Sequence, residues 1–458
     1  MNISIIGTGY VGLVSAVCLA EKGHTVTCVD IDQAKVAKIN QGVSPIHEKG
    51  LPELLKKHVP SGLTATTGLH KAVLDTELSL IAVGTPFNGE QIDLSYIREV
   101  ARQIGTAMRD KSSYHCVIVK STVVPGTTDD IVTPILELTS GKTAGKDFGI
   151  GMNPEFLREG EAVEDFLYPD RIVLGGIDER TRDVLEKVYA VFAGIPKIRT
   201  NNKTAEMIKY TSNCLLGTMI SFSNEIGNLC ASLGNIDSVE VMGAVHLDKR
   251  LSPILSDGTR ITPAFTTYLE AGCGFGGSCF PKDIKALIAH GVNVGNPMAL
   301  LNAVIQVNEA QPHQLLGLLR RHFPSVKGVR IAVLGLAFKP GTDDMRESPS
   351  IPIVKTLIAE KAVIKAFDPV ARHEAEKLFG SHALTYCDDL TDALEDAEAV
   401  LILTRWNEFK RVPELIAEMN PSPLVIDGRR MLDKSRVKRY AGVGVDSKGS
   451  TDDHRCKP

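Results

Sequence analysis

The sequence predicts an α/β protein in which two doubly wound domains are joined by a helical central domain. Two separate series of short strands rich in valine and isoleucine, with helix-like patterns between the strands, predict two parallel sheets. Strand signals fade between residues 203 and 300, where helix patterns dominate. We therefore expect domains at residues 1–202, 203–300 and 301–446, followed by a polar, disordered tail at residues 447–458.

The first sheet is predicted by four apolar segments, residues 2–6, 25–29, 78–83 and 115–120. Each segment is short and is ended by glycine or polar residues. Alternation of such segments with helices is typical of βαβ units, whose parallel sheets are covered by helices on both faces.

The second sheet is predicted by four later segments, residues 329–335, 362–368, 399–404 and 423–428. A helix pattern that begins at Ser348 separates the first two of them. The chain is therefore expected to hold two nucleotide-binding-like folds. The helical residues between the folds are numerous enough for a linker domain or an oligomer interface, and we expect a homodimer or a higher homo-oligomer.

Composition and charge argue against several classes of function. The 458 residues have a formal net charge of −4, which gives no electrostatic footprint for nucleic acid or an anionic membrane. No signal peptide pattern and no apolar run of ~18 residues is found. Nine scattered cysteines fit free thiols in a reducing compartment. We expect a cytoplasmic protein with neither a membrane nor a nucleic acid as its partner.

A glycine-rich motif links the first predicted strand to the following helix. It consists of Gly7, Thr8, Gly9, Tyr10, Val11 and Gly12. Such glycines permit a tight turn and close approach of the backbone to a pyrophosphate, and the helix amino terminus favours phosphate. The next strand ends at Asp30, where an acid accepts hydrogen bonds from an adenosine ribose and repels a 2′-phosphate. We predict NAD rather than NADP, although Lys35 weakens this preference. An ordinary tight turn is the alternative.

The second nucleotide-binding-like fold lacks this motif. Its first strand is followed by residues 335–341 (GLAFKPG), which place bulky side chains where a pyrophosphate needs bare backbone. Lys339 and Arg346 are able to contact phosphate. We expect a different nucleotide here, carried by the substrate, and a solvated charged loop is the alternative.

Two pairs of residues have the spacing of one helical face. Glu155 and Glu159 lie at i and i+4, and either could act as a general base if its segment is helical. Lys209 and Asn213 have the same spacing on a predicted helix. Solvated, ion-paired helix faces explain both pairs equally well. Metal-ligand spacing is absent from the His, Cys and Asp residues, so no metal is expected.

A glycine-rich loop, residues 272–283 (GCGFGGSCFPKD), places a cysteine directly before a predicted helix. Pro281 suits the first helical position, so the positive helix end, together with Lys282, is expected to favour a thiolate at Cys279. Its glycines permit close approach of a ligand to the backbone. A buried, inert cysteine in a turn is the alternative.

Six motifs follow one another along the chain: VGTP (83–86), KSTVVPGT (120–127), NPEFLREG (153–160), AEMIKYTSN (205–213), the cysteine loop (272–283) and FKPGTDDMRESP (338–349). Together they resemble the UDP-glucose/GDP-mannose dehydrogenase family. The resemblance extends from Met1 to about Gly444. It implies two Rossmann-like domains and the NAD-dependent oxidation of a nucleotide sugar at C6 to an acid. UDP-glucose is the first choice of substrate, with GDP-mannose and UDP-N-acetyl sugars left open.

The resemblance also implies roles for individual residues. Cys279 matches the catalytic nucleophile, and Glu155 matches the base that releases the acid product. Lys209 and Asn213 match the pair that holds the reacting sugar and stabilises negative charge on its oxygen. These residues argue against the alternative of a nucleotide-sugar-binding protein without turnover. Asp283 matches an aspartate that assists proton transfer through water, with Thr122 as its partner.

The remaining implied residues form two sets. The cofactor set is Gly7, Gly9, Tyr10, Val11, Gly12, Asp30, Lys35, Thr85, Thr122, Glu159, Lys282 and Arg346. The substrate set is Glu155, Phe156, Leu157, Lys209, Asn213, Arg260, Tyr268, Gly276, Phe338, Lys339 and Arg429. Lys339 and Arg429 resemble contacts to the diphosphate and uridine, and Arg260 resembles an arginine donated by a neighbouring subunit.

Overall fold

The structure is a computed structural model and describes residues 1–445. The predicted disorder of residues 447–458 therefore falls outside the described residues. The chain divides into two compact units, and each unit contains one sheet. The first unit comprises residues 1–212 and 285–297, and the second comprises residues 213–284 and the described part of 298–458. The predicted α/β fold class is confirmed.

The sheet of the first unit has eight strands in the order β3-β2-β1-β4-β5-β6-β7-β8. The strands are β1 Asn2–Ile6, β2 Thr25–Val29, β3 Leu63–Thr66, β4 Leu78–Ile81, β5 Cys116–Val119, β6 Gly149–Met152, β7 Ile172–Gly176 and β8 Lys197–Thr200. Strand order reverses between β1 and β4, and ligands of such sheets bind outside the carboxyl ends of the strands at this point.

All neighbouring strands of this sheet are parallel except β6 and β7, which are antiparallel. A parallel pair needs a connection that crosses the sheet, whereas the segment between β6 and β7 returns at the same end. That segment contains Glu155 and Glu159. It therefore lies at the carboxyl edge of the sheet, where ligands are expected.

Eight helices accompany these strands along the chain. They are α1 Tyr10–Glu21, α2 Gln33–Asn40, α3 Leu51–His58, α4 Leu69–Asp75, α5 Ser95–Arg109, α6 Thr133–Ser140, α7 Ala162–Leu167 and α8 Glu179–Val188, and a π-helical turn, Thr128–Val132, precedes α6. Side chains of β1 enter two different hydrophobic clusters, Ile3 and Ile5 in one and Ile6 in the other. Both faces of the sheet are therefore buried, as predicted.

Helices dominate the central region of the chain, as predicted. They are α9 Asn202–Leu233, α10 Ser238–His246, α11 Phe280–Asn293 and α12 Ala299–His322. The helix α9 has 32 residues and carries Lys209 in its first-unit part and Asn213 in its second-unit part. None of the helices within residues 1–445 is both long enough and apolar enough to cross a membrane.

The sheet of the second unit has six parallel strands in the order β11-β10-β9-β12-β13-β14. The strands are β9 Arg330–Leu334, β10 Val363–Phe367, β11 Thr385–Tyr386, β12 Ala399–Ile402, β13 Leu424–Asp427 and β14 Tyr440–Gly442. The helices that accompany them are α13 Ser350–Ala359, α14 Arg372–Phe379, α15 Leu390–Leu394 and α16 Val412–Leu415. Strand order reverses between β9 and β12, which places a second ligand position at their carboxyl ends.

Candidate active site and nucleotide-binding loops

The turn between β1 and α1 requires glycine at two positions. Gly7 has φ +98°, and a Cβ atom there would lie 2.7 Å from the Ala82 carbonyl oxygen. A Cβ atom at Gly12 would lie 1.9 Å from the Gly7 oxygen. A Cβ atom at Gly9 would meet no heavy atom within 4 Å, and Gly9 caps α1 without a side-chain hydrogen bond. Open space beside an uncapped helix amino terminus fits a pyrophosphate.

Asp30 is held rigidly at the carboxyl end of β2. Its Oδ2 accepts hydrogen bonds from the Thr8 amide at 2.9 Å and the Thr8 hydroxyl at 2.5 Å, and its Oδ1 accepts one from the Asp32 amide at 2.9 Å. Burial acts to raise the pKa of Asp30, but these hydrogen bonds and the charge of Lys35 hold the pKa below its ordinary value. A fixed, ionised carboxylate beside the glycine turn fits the ribose of NAD.

Tyr10 connects the glycine turn to the segment between β6 and α7. Its hydroxyl donates a hydrogen bond to the Glu48 carboxylate. The Gly160 amide lies 2.7 Å from both the Tyr10 hydroxyl oxygen and Glu48 Oε2. Val11, the next residue of α1, is half-buried. The first turn of α1 therefore fixes the position of the segment that carries Glu155 and Glu159.

Glu155 and Glu159 do not share a helical face. Residues 153–161 are not helical, because Pro154 lacks an amide hydrogen and Gly160 has φ +85°, and α7 begins only at Ala162. Glu155 is buried, whereas Glu159 is partly exposed. The two glutamates therefore have different surroundings. The helix that the argument from their spacing required is not present in this segment.

Glu155 forms a buried ion pair with Lys209. Lys209 Nζ lies 2.9 Å from Glu155 Oε1, and the Leu157 amide donates to Oε2 at 2.6 Å. Burial acts to raise the pKa of Glu155, but Lys209, the Leu157 amide and Lys120 together hold it below its ordinary value. This arrangement provides an ionised carboxylate and a cation side by side. Phe156 packs beside them, with Lys209 Nζ 5.5 Å from its ring centroid.

Lys120 is a buried residue of this cluster that the sequence reasoning did not single out. Its Nζ donates to Asn153 Oδ1 at 3.0 Å, and the Tyr189 hydroxyl donates to the same oxygen at 2.5 Å. Burial lowers the pKa of Lys120 to about 8, and the charge of Lys209 acts in the same direction. The sequence does contain a sign of this buried lysine, because Lys120 directly follows the apolar strand β5, which is fully buried. Lysine is almost never fully buried unless it is paired, so a lysine at such a position indicates a specific partner.

Thr85 and Thr122 follow two neighbouring strands, β4 and β5. The Thr85 hydroxyl donates to the Thr122 carbonyl at 2.8 Å. Because β4 also pairs with β1, both threonines lie at the same sheet edge as the glycine turn. The first unit therefore brings the glycine turn, Asp30, the two threonines and the Glu155–Lys209 pair to the carboxyl edge of one sheet.

Cys279 occupies the amino-terminal cap of α11 in the second unit. The helix begins at Phe280, one residue before the predicted start at Pro281, and the Cys279 carbonyl accepts the Asp283 amide at 2.8 Å. The free N–H groups and dipole of a helix start favour a thiolate at this position. Cys279 is partly exposed, whereas the other cysteines within residues 1–445 are buried, and burial raises the pKa of Cys214 to about 12.

Asp283 lies one turn after Cys279 and is almost completely buried, with 1% of its surface exposed. Asn213 Nδ2 donates to Asp283 Oδ2 at 2.6 Å, and Lys282 Nζ donates to Oδ1 at 2.6 Å. The second unit therefore joins Cys279, Asp283, Lys282 and Asn213 in one cluster. The amide of Asn213 is oriented by the Asp283 carboxylate.

The glycines before Cys279 allow close packing of protein segments. A Cβ atom would lie 2.8 Å from Asn308 Oδ1 at Gly274, 2.3 Å from the Glu347 oxygen at Gly276 and 2.8 Å from the Phe338 ring at Gly277. The contacts of these glycines in the second unit are therefore with protein, whereas the sequence suggested only close approach of a ligand. The tight packing holds the loop that presents Cys279.

Arg429 also holds this loop. Its Nη1 donates to the Gly274 carbonyl at 3.0 Å, and its Nε donates to the Leu403 carbonyl at 2.6 Å. Lys339 Nζ lies 5.9 Å from the ring centroid of Phe338, which follows β9. Arg429 and Lys339 therefore lie after β13 and β9, at the carboxyl edge of the second sheet.

Three further residues of the implied sets belong to the second unit. Arg346 is exposed and pairs with Asp344 at 2.7 Å. The Tyr268 ring lies 6.3 Å from the Phe280 ring. Arg260 is exposed, and its Nη1 donates to the Leu247 carbonyl at 2.7 Å.

A cavity of about 430 Å³ opens at the carboxyl ends of β12 and β13. Its lining includes Arg405, Lys410 and Arg430, but Arg405 pairs with Glu270 and Arg430 pairs with Asp237 at 2.8 Å. Carboxylates therefore already balance the charge of both arginines. No group of three or more His, Cys, Asp or Glu side chains suited to a metal ion was found within the part of the chain that the structure describes.

Comparison with protein families gives matches along most of the chain. Three domain models of the UDP-glucose/GDP-mannose dehydrogenase family match: the NAD binding domain at residues 1–193, the central domain at 203–310 and the UDP binding domain at 332–434.

Individual relatives agree with these matches. The chain is 42% identical to a UDP-glucose 6-dehydrogenase of Haloferax volcanii, over 97% of this chain and 100% of that protein. It is 45% identical to a GDP-mannose 6-dehydrogenase of Azotobacter vinelandii, over 80% and 81% of the two chains. The solved structure of a UDP-glucose dehydrogenase from Pyrobaculum islandicum is 38% identical, with a TM-score of 0.88 over 97% of this chain and 98% of that chain.

These matches confirm NAD as the cofactor and identify a nucleotide-sugar 6-dehydrogenase. The glycine turn with Asp30 lies within the NAD binding domain of the family. The chain belongs to the UDP-glucose/GDP-mannose dehydrogenase family.

Proposed function

We propose that this protein oxidises UDP-glucose at C6 to UDP-glucuronate, in two NAD-dependent steps that pass through a covalent intermediate on Cys279. The observation that carries this proposal is the position of Cys279. It is a partly exposed thiol at the start of α11, one turn before the buried Asp283. A helix start favours the thiolate, which is the nucleophilic form of cysteine.

The choice of UDP-glucose rests on the second nucleotide-binding fold. Residues 332–434 match a UDP binding domain, and the relatives named UDP-glucose 6-dehydrogenase match over nearly the whole chain. GDP-mannose 6-dehydrogenases match as well, one at 45% identity over 80% of this chain and one at 40% identity over 94% of this chain. GDP-mannose is therefore the second candidate.

In the first oxidation, the C6 hydroxyl of the sugar loses its proton and C6 loses a hydride, which gives an aldehyde. NAD, when bound, would supply the hydride acceptor, with one NAD molecule consumed in each oxidation. We assign to Lys209 the electrostatic stabilisation of the developing oxyanion, with Asn213 holding the same oxygen. We assign the proton to Asp283 through a water molecule, with Thr122 as the partner of that water.

In the second oxidation, the Cys279 thiolate adds to C6 of the aldehyde, and the carbonyl oxygen takes up a proton to give a thiohemiacetal. Loss of a hydride from C6 and of the hydroxyl proton then gives a thioester. Water attacks this thioester while Glu155 accepts a proton from the water, and the C–S bond breaks to return the thiolate and release the acid. Covalent capture prevents loss of the reactive aldehyde between the two steps.

The proposed substrate is tested by mixing the protein with NAD and each of UDP-glucose, GDP-mannose and UDP-N-acetylglucosamine, and recording NADH absorbance. We expect two NADH per UDP-glucose consumed and kcat/KM at least about tenfold lower for the other sugars, because a wrong base or substituent leaves buried polar groups unpaired. Higher kcat/KM with GDP-mannose would contradict the choice of UDP-glucose. Absence of NADH with every sugar would contradict the enzymatic function.

Replacement of Asp30 is expected to change cofactor use. Asp30→Ala removes the carboxylate that is fixed by Thr8 and Asp32, so kcat/KM for NAD should fall by about tenfold or more while that for NADP changes little. The measurement is steady-state NADH and NADPH formation at saturating sugar. Wild-type protein that uses NAD and NADP equally well would show that Asp30 is not the ribose acceptor.

We also propose that residues 203–300 form a dimerisation domain between domains at residues 1–202 and 301–446. Large hydrophobic side chains of α9 are exposed at a seven-residue spacing, Leu215, Phe222 and Leu229. This spacing places them on one helical face, which is typical of a helix that packs against a partner. A homodimer or a higher homo-oligomer would cover this face. We also propose that each subunit contributes Arg260 to the substrate site of its neighbour.

A charge on this face is expected to separate the subunits. Phe222→Glu should shift the protein from dimer to monomer in sedimentation at micromolar concentration, because a buried, unpaired carboxylate is costly. Leu138→Glu is the matched control, because Leu138 is exposed on α6, outside the proposed interface, and should leave the assembly unchanged. Wild-type protein that sediments only as a monomer would contradict the proposed dimer.

We propose the cytoplasm as the compartment of this reaction. The cysteines within residues 1–445 form no disulfide bonds, including those buried in both units. Free thiols persist in compartments kept reducing by glutathione and thioredoxin.

A further inference from the structure

Glu206 is a buried acid of the first unit that the proposed reaction does not use. It lies on α9, three residues before Lys209, and none of its surface is exposed. Its Oε2 accepts the Gly126 amide at 2.6 Å. Its Oε1 accepts the Thr128 amide at 2.8 Å and the Thr128 hydroxyl at 2.6 Å. A single carboxylate therefore receives three hydrogen bonds from one segment of the chain.

That segment connects β5 to the π-helical turn Thr128–Val132 and carries Thr122 four residues before Gly126. Glu206 therefore joins the segment of Thr122 to the helix of Lys209. These are two of the residues to which the proposed function assigns chemistry. Loss of the carboxylate would leave two buried amide donors without their acceptor, which is destabilising.

An ionised carboxylate matches all three donors best, because both of its oxygens accept hydrogen bonds and neither carries a hydrogen. A protonated acid carries one hydrogen and is a weaker acceptor, and a side-chain amide replaces one of the two acceptor oxygens with an N–H donor. Glu206→Gln preserves the size of the side chain but makes this replacement. The variant therefore separates the effect of charge from the effect of packing.

We propose that Glu206, as a carboxylate, is a positioning residue that holds the Thr122 segment in its working position beside the helix that carries Lys209. This role rests on the proposed function, which places Thr122 and Lys209 in the reaction. Glu206 acts through the backbone of residues 126–128, with no contact to substrate or cofactor assigned to it.

The ionisation of Glu206 occurs close to neutral pH. Burial raises its pKa to about 7, and Asp129 acts in the same direction, against the hydrogen bonds from Thr128 and Gly126. Charged groups nearby are Asp129, which accepts a hydrogen bond from Asn202 at 2.8 Å, and Lys203, which pairs with Asp130 at 3.0 Å.

This pKa has a consequence for stability. The pKa of Glu206 in the folded protein is above the ordinary value of 4.5, so between pH 4.5 and about pH 7 the folded protein binds a proton that the unfolded protein has lost. The contribution of Glu206 to the free energy of unfolding therefore decreases as the pH rises toward about 7. Stability alone therefore does not explain an ionisable residue at this position. The fit of the carboxylate to three donors does explain it.

The test compares kcat of wild-type protein and Glu206→Gln between pH 6 and pH 8.5, at saturating UDP-glucose and NAD. At pH 8.5 we expect kcat of the variant to be about tenfold lower, with both KM values within about threefold, because small displacements of catalytic groups reduce the rate of the chemical step. The ratio of the two kcat values should approach one toward pH 6, where the wild-type carboxylate is also protonated. A purely structural defect would give the same ratio at every pH.

A second measurement does not require the variant to fold. Amide hydrogen exchange of residues 126–132 in wild-type protein, corrected for its intrinsic pH dependence, should show greater protection at pH 8.5 than at pH 6, because the carboxylate is then the acceptor for this segment. Thr128→Val is the matched control. It removes one hydroxyl donor without changing charge, so its effect on kcat should be smaller than that of Glu206→Gln.

Two results would overturn this role in an active wild-type protein. One is a ratio of kcat values that stays constant from pH 6 to pH 8.5, and the other is protection of residues 126–132 that does not change with pH. Wild-type protein that forms no NADH from any nucleotide sugar would overturn both the proposed function and this role. The two failures are therefore distinguishable.

Discussion

Replacing Cys279 with alanine is expected to abolish formation of UDP-glucuronate, with a loss of rate of at least about 10³-fold, because no nucleophile then remains to capture the aldehyde. Binding should change little, since the deleted side chain is small and the nucleotide supplies most of the contacts. We expect Kd for UDP-glucose to stay within about threefold of the wild-type value. Acid product is measured by chromatography and Kd by calorimetry.

The control for this variant is Cys387→Ala. Cys387 is a buried thiol of the second unit, and burial raises its pKa to about 12, so it is not a nucleophile at neutral pH. This variant should form acid at the wild-type rate. Normal acid formation by Cys279→Ala would instead make a hydrated aldehyde the donor of the second hydride, and the covalent route would be wrong.

Glu155→Gln is expected to stop the reaction at the thioester. The amide preserves the shape of the side chain but is not a base, so both hydride transfers occur and hydrolysis fails. Stopped-flow absorbance should show a burst of two NADH per active site, followed by turnover slower by about 10²-fold or more. The ordinary form of Glu155 is the carboxylate, because Lys209 and the Leu157 amide keep its pKa low despite burial.

Glu159→Gln is the comparison for this experiment. Glu159 lies in the same non-helical segment but is implied to lie on the cofactor side, so its replacement should raise KM for NAD without producing a burst. A linear time course for Glu155→Gln at the wild-type rate would remove Glu155 from the hydrolysis step.

Strands flanked by clear breakers were predictable from the sequence. All eight predicted strands are present, for example Asn2–Ile6 before the glycine turn and Leu424–Asp427 before the glycine of residue 428. They are interior strands of the two sheets, and burial on both faces favours the valine, isoleucine and leucine residues that make them recognisable.

The strands that the sequence did not reveal lack this signal. Gly149–Met152 and Ile172–Gly176 contain glycines, which are infrequent in strands, and Cβ atoms at Gly151 and Gly175 would lie 2.6 Å and 2.8 Å from opposing atoms. Lys197–Thr200 is short, polar and only partly buried, as an edge strand often is. Their pairing depends on contacts between distant parts of the chain.

The residues of the site were more predictable than their environments. The family resemblance indicated Cys279, Lys209 and Asn213, whereas their spacing alone left a buried, inert cysteine and a solvated helix face as alternatives. It did not indicate that Pro154 and Gly160 prevent a helix at Glu155, or that burial would make Lys120 and Glu206 titrate near neutral pH. A pKa depends on burial and on neighbours from other segments, which a sequence does not display.

The most direct test of covalent catalysis is mass spectrometry of Glu155→Gln quenched in acid during turnover with UDP-glucose and NAD. We expect intact protein that has gained the mass of one UDP-glucuronyl group, and a peptide map that places this group on Cys279, because a thioester survives acid when its hydrolysis is no longer catalysed. The adduct should be absent when NAD is omitted and absent from the double variant that also carries Cys279→Ala. NADH formation by Glu155→Gln without any adduct on Cys279 would contradict the proposal.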